Sequence, residues 1–226
     1  MEAKRLPQTV LLITDHERLY GANHSLLDLA TYLKSERGLH PIVLIQRPGR
    51  LSEALTERGI ENYCILFRKW CYLPGDKKHF ALPRNLVDWV MRQRIYRLMK
   101  GKGIELVHTN VSTTRMGDEL SQRLGVPHVW HVREFVPEQF PYLYAFPMEF
   151  VNKCFCRADA VITISKALAT YFQGRFPQAH VRMVYNGVNL VYGEKAFAPV
   201  DTGHFCCVGR LCPQKRQLCV LHALPV

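Results

Sequence analysis

From residue 9 to residue 185 the chain keeps changing period. Short runs of β-branched and aliphatic residues recur between longer stretches whose apolar residues fall three and four apart, and Gly, Pro or polar residues mark each change. Strands separated by helices pair in parallel, and the helices then cover both faces of the sheet. The expected fold is α/β, a Rossmann-like parallel sheet with helices on both faces. The spacing predicts strands over 9–14, 41–46, 61–67, 104–109, 127–132, 160–164 and 181–185. It predicts helices over 25–37, 51–59, 84–100, 113–124 and 166–172. In the first helix Leu26, Leu27, Ala30 and Leu33 share one face. Gly38 ends that helix and Gly125 closes the one over 113–124. Residues 1–190 therefore read as one domain. A stretch richer in Gly, Pro, Asn and Asp, 191–203, reads as a linker. After it, 204–226 reads as a strand over 204–208, a loop, and a helix over 215–224. One β-α unit cannot bury its own two faces, so this tail is expected to be the truncated start of a second domain.

Composition narrows the function classes. With 48% hydrophobic and 22% charged residues among 226, the chain can build a core, and wholesale disorder or a coiled coil is excluded. Uncharged runs fall far short of the ~20 residues of a spanning helix, and the apolar run 10–13 is too short for a signal-peptide core. A cytoplasmic protein is expected. Lys and Arg total 30 against 19 Asp and Glu, a net charge of +11, which suits nucleic acid, an anionic membrane surface or a phosphorylated small molecule. The basic residues are spread along the chain rather than clustered, so nucleic acid is not an expected partner and a basic nucleic-acid-binding protein is the less favoured alternative. None of the 8 cysteines forms Cys-x-x-Cys. Cys64, Cys154, Cys156, Cys206 and Cys207 sit in apolar runs and are expected to be buried free thiols.

Ligands of open parallel sheets collect beyond the carboxyl ends of the strands, and four loops there carry candidate chemistry. The loop 20–25 puts small residues at a helix start, which suits an anion, unless Asn23 or Ser25 merely caps the helix. The second loop is His108-Thr109-Asn110. The third runs from Trp130 to Phe135, where His131 is either a satisfied core residue or a site residue. Arg133 and Glu134 beside it are costly to bury unpaired. In the fourth, Arg210 and Lys215 either clamp a diphosphate or are two solvated charges. No Gly-x-Gly-x-x-Gly follows a strand, and no P-loop, Gly-x-Ser-x-Gly or His-Glu-x-x-His occurs. No Asp-x-Asp is present to cradle a metal, so Arg and Lys would have to neutralise phosphate.

Taken together, the segments 21–30, 107–110, 125–135, 158–165, 184–188 and 208–211 resemble, in order and spacing, the GT-B glycosyltransferases of family 4. These enzymes transfer sugar from a nucleotide sugar with retention. The resemblance implies that 1–190 is the acceptor-side domain and that His131 lies near the transferred sugar. It implies that the Gly21 backbone faces the donor phosphates, and that Arg210 and Lys215 stabilise the departing diphosphate. His24, Asn110, Arg133 and Glu134 would line the acceptor side. A nucleotide-diphosphate sugar is implied as substrate, with no metal and no other cofactor. The family usually has two adjacent glycines in the first loop, whereas Tyr20 stands first here. The family's donor-binding domain, with its nucleotide-base pocket and glutamate motif, would be missing, so this chain alone is expected to be inactive. The alternative is a non-catalytic remnant or a binding domain that needs a partner.

The expected acceptor is a glycan or a lipid-linked molecule of surface polysaccharide or glycolipid synthesis. The helix 84–100 carries Arg84, Arg92, Arg94, Arg97 and Lys100 beside Leu86, Trp89 and Val90, and a basic amphipathic helix of this kind can lie on an anionic membrane. The segment from Arg68 to Lys78 and the aromatics Phe135, Phe140, Tyr142, Tyr144, Phe146 and Phe150 add to that surface. The alternative is a Rossmann-type helix with its apolar face on the sheet and its basic face in water. The expected location is the cytoplasm, with peripheral attachment to the inner face of the cell membrane if the first of these two readings holds.

Overall fold

The structure, a computed structural model, describes residues 6–75, 82–136, 142–187, 206–209, 211 and 216–223. The chain divides into two compact units, 1–187 and 188–226.

The first unit is built on a seven-stranded parallel sheet. Its strands are β1 (Thr9–Thr14), β2 (His40–Ile45), β3 (Glu61–Cys64), β5 (Leu106–Thr109), β6 (His128–Val132), β8 (Ala160–Thr163) and β9 (Val181–Met183), in the order β3-β2-β1-β5-β6-β8-β9. A two-stranded antiparallel ribbon joins β4 (Cys71–Tyr72) to β7 (Leu143–Tyr144). Helices α1 (Gly21–Ser35), α2 (Arg50–Glu57), α3 (Leu82–Lys100), α4 (Met116–Leu124), α5 (Met148–Cys156) and α6 (Lys166–Arg175) connect the strands.

Alternation along the strands divides the core by face, because successive side chains point to opposite sides. Leu11 and Ile13 of β1 join Ile42 and Leu44 of β2, and α3 and α4 cover them with Ile95, Met99, Met116 and Leu120. Val10, Leu12, Val43 and Ile45 face the other way, onto Leu26, Leu27 and Ala30 of α1 and Leu51 and Leu55 of α2. Both faces are covered, so β1 and β2 read as continuous apolar runs. A third cluster joins Trp130 and Val132 of β6 to Val161 of β8, Phe155 of α5, Phe172 of α6 and Trp70. Gly117 lets α4 approach β5 closely: a Cβ there would land on Thr109 Oγ1 and lie 3.0 Å from His128 Nε2. Gly38 and Gly125 take left-handed φ values of 61° and 70° where α1 and α4 end.

Several expectations need correction. The first helix starts at Gly21, not at residue 25, and Tyr20 is its N-cap, so neither Asn23 nor Ser25 caps it. Helix α4 starts at Met116 rather than 113 because Ser112, Thr113 and Thr114 use their hydroxyls on neighbouring strands and loops instead. The ribbon β4–β7 and helix α5 lie in stretches that carried no predicted element. Phe135, Tyr142, Tyr144, Phe146 and Phe150 pack against the third core cluster rather than forming an outer aromatic surface; Phe140 lies outside the described residues. Trp70 and Cys71 are buried as well, while Lys77 and Lys78 lie outside the described residues. Cys64, Cys206 and Cys207 are exposed, Cys156 is half-buried and Cys154 is buried, and all five are free thiols. In the second unit, 206–208 form no strand and α7 (Gln217–His222) buries none of its side chains. Among the described residues no helix is long and apolar enough to cross a membrane.

Candidate functional site

From β1 the sheet grows outward to β2 and β3 on one side, then from β5 to β6, β8 and β9 on the other. A reversal of this kind leaves a crevice at the carboxyl ends of the two strands that flank it. Ile13 pairs with Thr109 and Thr109 with Trp130, so the residues after β1, β5 and β6 emerge at the same edge. Asp15 and Asn110 follow β1 and β5 directly, and the run from His131 to Glu134 spans the last two residues of β6 and the two after it.

Asn110, fully buried, ties this edge together. Its N–H bonds the Ile13 carbonyl at 2.8 Å, and its side-chain amide donates to the Ala22 carbonyl at 2.9 Å. Its Oδ1 accepts from Arg133 Nε at 3.1 Å. Arg133 also donates to Asn186 Oδ1 at 2.7 Å and reaches His131 Nδ1 at 3.4 Å. A guanidinium can only donate, so His131 Nδ1 is the accepting nitrogen and the imidazole proton sits on Nε2. That Nε2 is buried and has no partner among the described residues. Burial, then Arg133 and His108, push the His131 pKa down to about 2. The ring is therefore neutral at pH 7, with one N–H to donate. His108 stacks edge-on against it at 5.4 Å, and burial with Arg133 lowers the His108 pKa to about 4.

Beside the histidines are two carboxylates. Asp15 accepts from the Thr113 hydroxyl and pairs with Lys69 at 3.0 Å. Burial opposes the Lys69 charge, but Asp15 outweighs it and the lysine pKa is raised. Glu134 accepts from the Ser112 N–H at 3.4 Å and hydroxyl at 3.2 Å. Burial and then the Asp15 charge raise its pKa, while Ser112 and Arg133 pull it down.

The glycine loop abuts this cluster through Ala22. Asn23 is buried and stitches the loop to β1: its amide donates to the His16 and Arg18 carbonyls at 2.8 Å, and Thr14 donates to its Oδ1 at 2.8 Å. The Asn23 and His24 N–H groups bond the Tyr20 carbonyl. The Gly21 and Ala22 amides are the first-turn donors that have no helical partner. A side chain at Gly21 would meet nothing within 4 Å, and the first turn carries no acid, so an anion can approach. The Tyr20 ring packs on His16 at 5.4 Å, and its hydroxyl accepts from Arg18 at 3.0 Å.

The structure thus brings His131, Arg133, Glu134 and Asn110 together beside the loop of Gly21. His24 is exposed on α1, and among the described residues its backbone N–H bonds the Tyr20 carbonyl rather than the cluster. Arg210 and Lys215 lie outside the described residues. Sequence reasoning missed Asp15, Lys69, Ser112 and Thr113. An acid directly after an apolar strand was the available signal for Asp15; Lys69 reaches it only through the fold. Among the described residues no three His, Cys, Asp or Glu side chains converge as a metal-binding group.

The model of Glycosyltransferase Family 4 matches residues 20–192. Among solved structures, HepE of Anabaena in complex with UDP-glucose superimposes with a TM-score of 0.58 at 16% identity, over 80% of this chain and 44% of that one. A glycosyltransferase of Rickettsia africae gives 0.55 at 17% identity, over 80% and 43%. MurG of Acinetobacter baumannii gives 0.53 at 16% identity, over 81% and 47%. The chain thus spans less than half the length of these structures, and the likeness shows the Rossmann-like α/β fold of one domain of GT-B glycosyltransferases. No curated protein matches the sequence.

Proposed function

The chain belongs to Glycosyltransferase Family 4, and on that premise we propose that it is the acceptor-side half of a retaining, metal-independent hexosyltransferase. The donor is a nucleotide-diphosphate sugar, and the acceptor is a glycan or lipid-linked molecule of surface polysaccharide or glycolipid synthesis. A donor-binding domain supplies the other wall of the cleft, and without it turnover is not expected, because proximity and orientation supply much of the rate.

One observation carries the reading. His131 presents a buried Nε2–H with no partner among the described residues, fixed in that tautomer by Arg133. Next to it, Asn110 holds Ala22 of the glycine loop. A neutral imidazole N–H donates a hydrogen bond to a sugar hydroxyl without adding a cation beside the reacting carbon. The free Gly21 and Ala22 amides suit the donor phosphates. Arg210 and Lys215 would neutralise charge on the departing diphosphate. That HepE was solved with UDP-glucose makes a UDP-sugar the first donor to try.

The test is His131→Ala in a chain that carries a complete donor domain. Transfer from a UDP-sugar should fall by about 10²- to 10³-fold, with UDP affinity little changed. Near-normal transfer refutes the role of His131.

Attachment to an anionic inner membrane face belongs to the same reading. The first half of α3 exposes Leu86, Trp89 and Val90, and Arg94, Arg97 and Lys100 are exposed on the same helix. Arg92 does not add to this surface, because it pairs with Asp88 at 2.7 Å and with Glu119.

A further inference from the structure

Asn186-Gly187 is the only asparagine-glycine pair in the chain, and the histidine cluster uses only its first residue. Asn186 Oδ1 accepts from an Arg133 N–H at 2.7 Å. After β9 the Val184 N–H still bonds the Thr163 carbonyl at 2.9 Å, but from Tyr185 to Gly187 no backbone hydrogen bond holds the chain among the described residues. All three residues are exposed, and the pair forms no turn. A Cβ at position 187 would meet nothing within 4 Å, so solvent reaches the peptide nitrogen, and glycine puts no side chain in the way of it.

A peptide nitrogen that follows an asparagine can close on that asparagine's own side chain in a five-membered ring. Closure depends on how freely the following backbone turns and on how electrophilic Cγ is. Glycine supplies the freedom. Arg133 supplies the polarisation, because its N–H draws electron density toward Oδ1 from within the range of about 2.7–3.1 Å at which a donor stabilises a developing oxyanion. The other described asparagines lack this combination. Asn23 and Asn110 are buried, and Asn62, Asn85 and Asn152 precede Tyr, Leu and Lys.

We propose that Asn186 is a self-modifying residue: with Arg133 polarising its side-chain carbonyl, it deamidates in the folded chain to aspartate and isoaspartate. The Gly187 nitrogen, deprotonated by solvent base, forms a bond to Asn186 Cγ, and the carbonyl electron pair moves onto Oδ1, where Arg133 donates. The pair returns as the Cγ–Nδ2 bond breaks, and Nδ2 takes a proton from water and leaves as ammonia. Water then opens the succinimide at either carbonyl. Amide and water become acid and ammonia, with nothing oxidised or reduced. Aspartate gives Arg133 an anionic acceptor in place of a neutral one, a bond roughly twice as strong. Isoaspartate instead routes the main chain through the side chain, at the last residue pair of the first compact unit. Either product resets the guanidinium that meets His131 Nδ1 at 3.4 Å. On the transferase reading that guanidinium holds the sugar-facing tautomer, but neither the step nor its test needs transfer.

The test is incubation of the purified chain at neutral pH and physiological temperature, with timed digests read by mass spectrometry and isoaspartate located by electron-transfer fragmentation. The reference is a synthetic peptide of residues 181–192, which carries the same pair without Arg133. Asn186 is expected to convert about tenfold faster in the folded chain than in the peptide, less than the ~10²-fold of one oxyanion donor in a closed site because this one meets water. Asn62, Asn85 and Asn152 should remain amides. Arg133→Ala should return the chain to the peptide's rate, and Gly187→Val should nearly abolish conversion. Melting curves will show that the Arg133 variant folds; if it does not, the native chain against the peptide decides alone. A native chain no faster than the peptide would overturn the proposal, because the fold would then protect the pair. A rate unmoved or raised in folded Arg133→Ala would overturn it too, since the bond would then restrain the amide. So would equal conversion at the other asparagines. None of these outcomes touches the role of His131, which is read by transfer, and normal transfer by His131→Ala would leave this proposal standing.

Discussion

Two of the three tryptophans mark opposite regimes in this molecule. Trp130 lies on β6 with no exposed surface, one residue before His131. It stacks on Trp70 at 5.8 Å with the planes 10° apart, meets Phe155 at 4.9 Å and donates to the Cys154 carbonyl at 3.3 Å. Trp89, on the first half of α3, is 59% exposed beside the exposed Leu86, Val87 and Val90. The strand that carries His131 is thus held by packing on its buried face and by Arg133 and Asn110 at its end. The α3 flank leaves apolar surface uncovered. Groups that must hold a reacting geometry need the first arrangement, and surfaces that bind an apolar partner can use the second.

The comparison breaks most readily at Trp130. Trp130→Ala removes an indole from a stacked core and should cost about 3–5 kcal/mol in a urea melt. A loss under about 1 kcal/mol would mean that the β6 floor is not the rigid element described above.

A smaller effect is expected one layer away. In Gly117→Ala the new methyl would meet Thr109 Oγ1, which is 2.8 Å from His128 Nε2. Either that hydrogen bond breaks or α4 lifts from β5, at a cost of about 1–3 kcal/mol. Adding Thr109→Ala should recover part of the loss, since the oxygen in the way is gone. Strict additivity of the two changes would argue against the close approach.

Acid should loosen the same region. Burial lowers the pKa of His108, His128 and His131 to about 4, 3 and 2, from 6.5. As pH falls below 6.5 the unfolded chain takes up protons that the native histidines refuse, so stability declines. The slope is up to about 1.4 kcal/mol per pH unit for each histidine. Glu134 works the other way: burial raises its pKa, so the native state holds that proton more firmly just above the usual carboxylate range. Three histidines outweigh one glutamate, and the melting temperature should drop from pH 6.5 to pH 5, less steeply in His131→Ala. A flat profile over that interval would mean that the histidines are solvated.

How much of this was legible in the sequence follows from the range of each interaction. The β-α alternation was readable because it is local: period, Gly38 and Gly125 are encoded within a few residues. His131, Arg133 and Asn110 were readable as polar residues closing apolar strands. The two-residue strands Cys71–Tyr72 and Leu143–Tyr144 have no period to detect. The aromatic stretch around α5 was read as an outer surface because composition cannot tell which side an aromatic run faces. Asp15 meets Thr113 across 98 positions of sequence, and no local pattern announces such a pair. The same holds for Lys69, whose partner is also Asp15.

The smallest effect on stability separates the two regimes most sharply. Trp89→Ser changes an exposed side chain outside every core cluster, so the folding free energy should move by no more than about 0.5 kcal/mol, against several for Trp130→Ala. If α3 lies on a membrane as proposed, co-sedimentation with anionic vesicles at low salt should fall, because Trp89 is a large exposed apolar side chain of that helix. If stability drops by more than 1 kcal/mol instead, the flank is packed and the contrast fails. If vesicle binding is unmoved, the basic face of α3 faces water and the membrane reading of the flank fails.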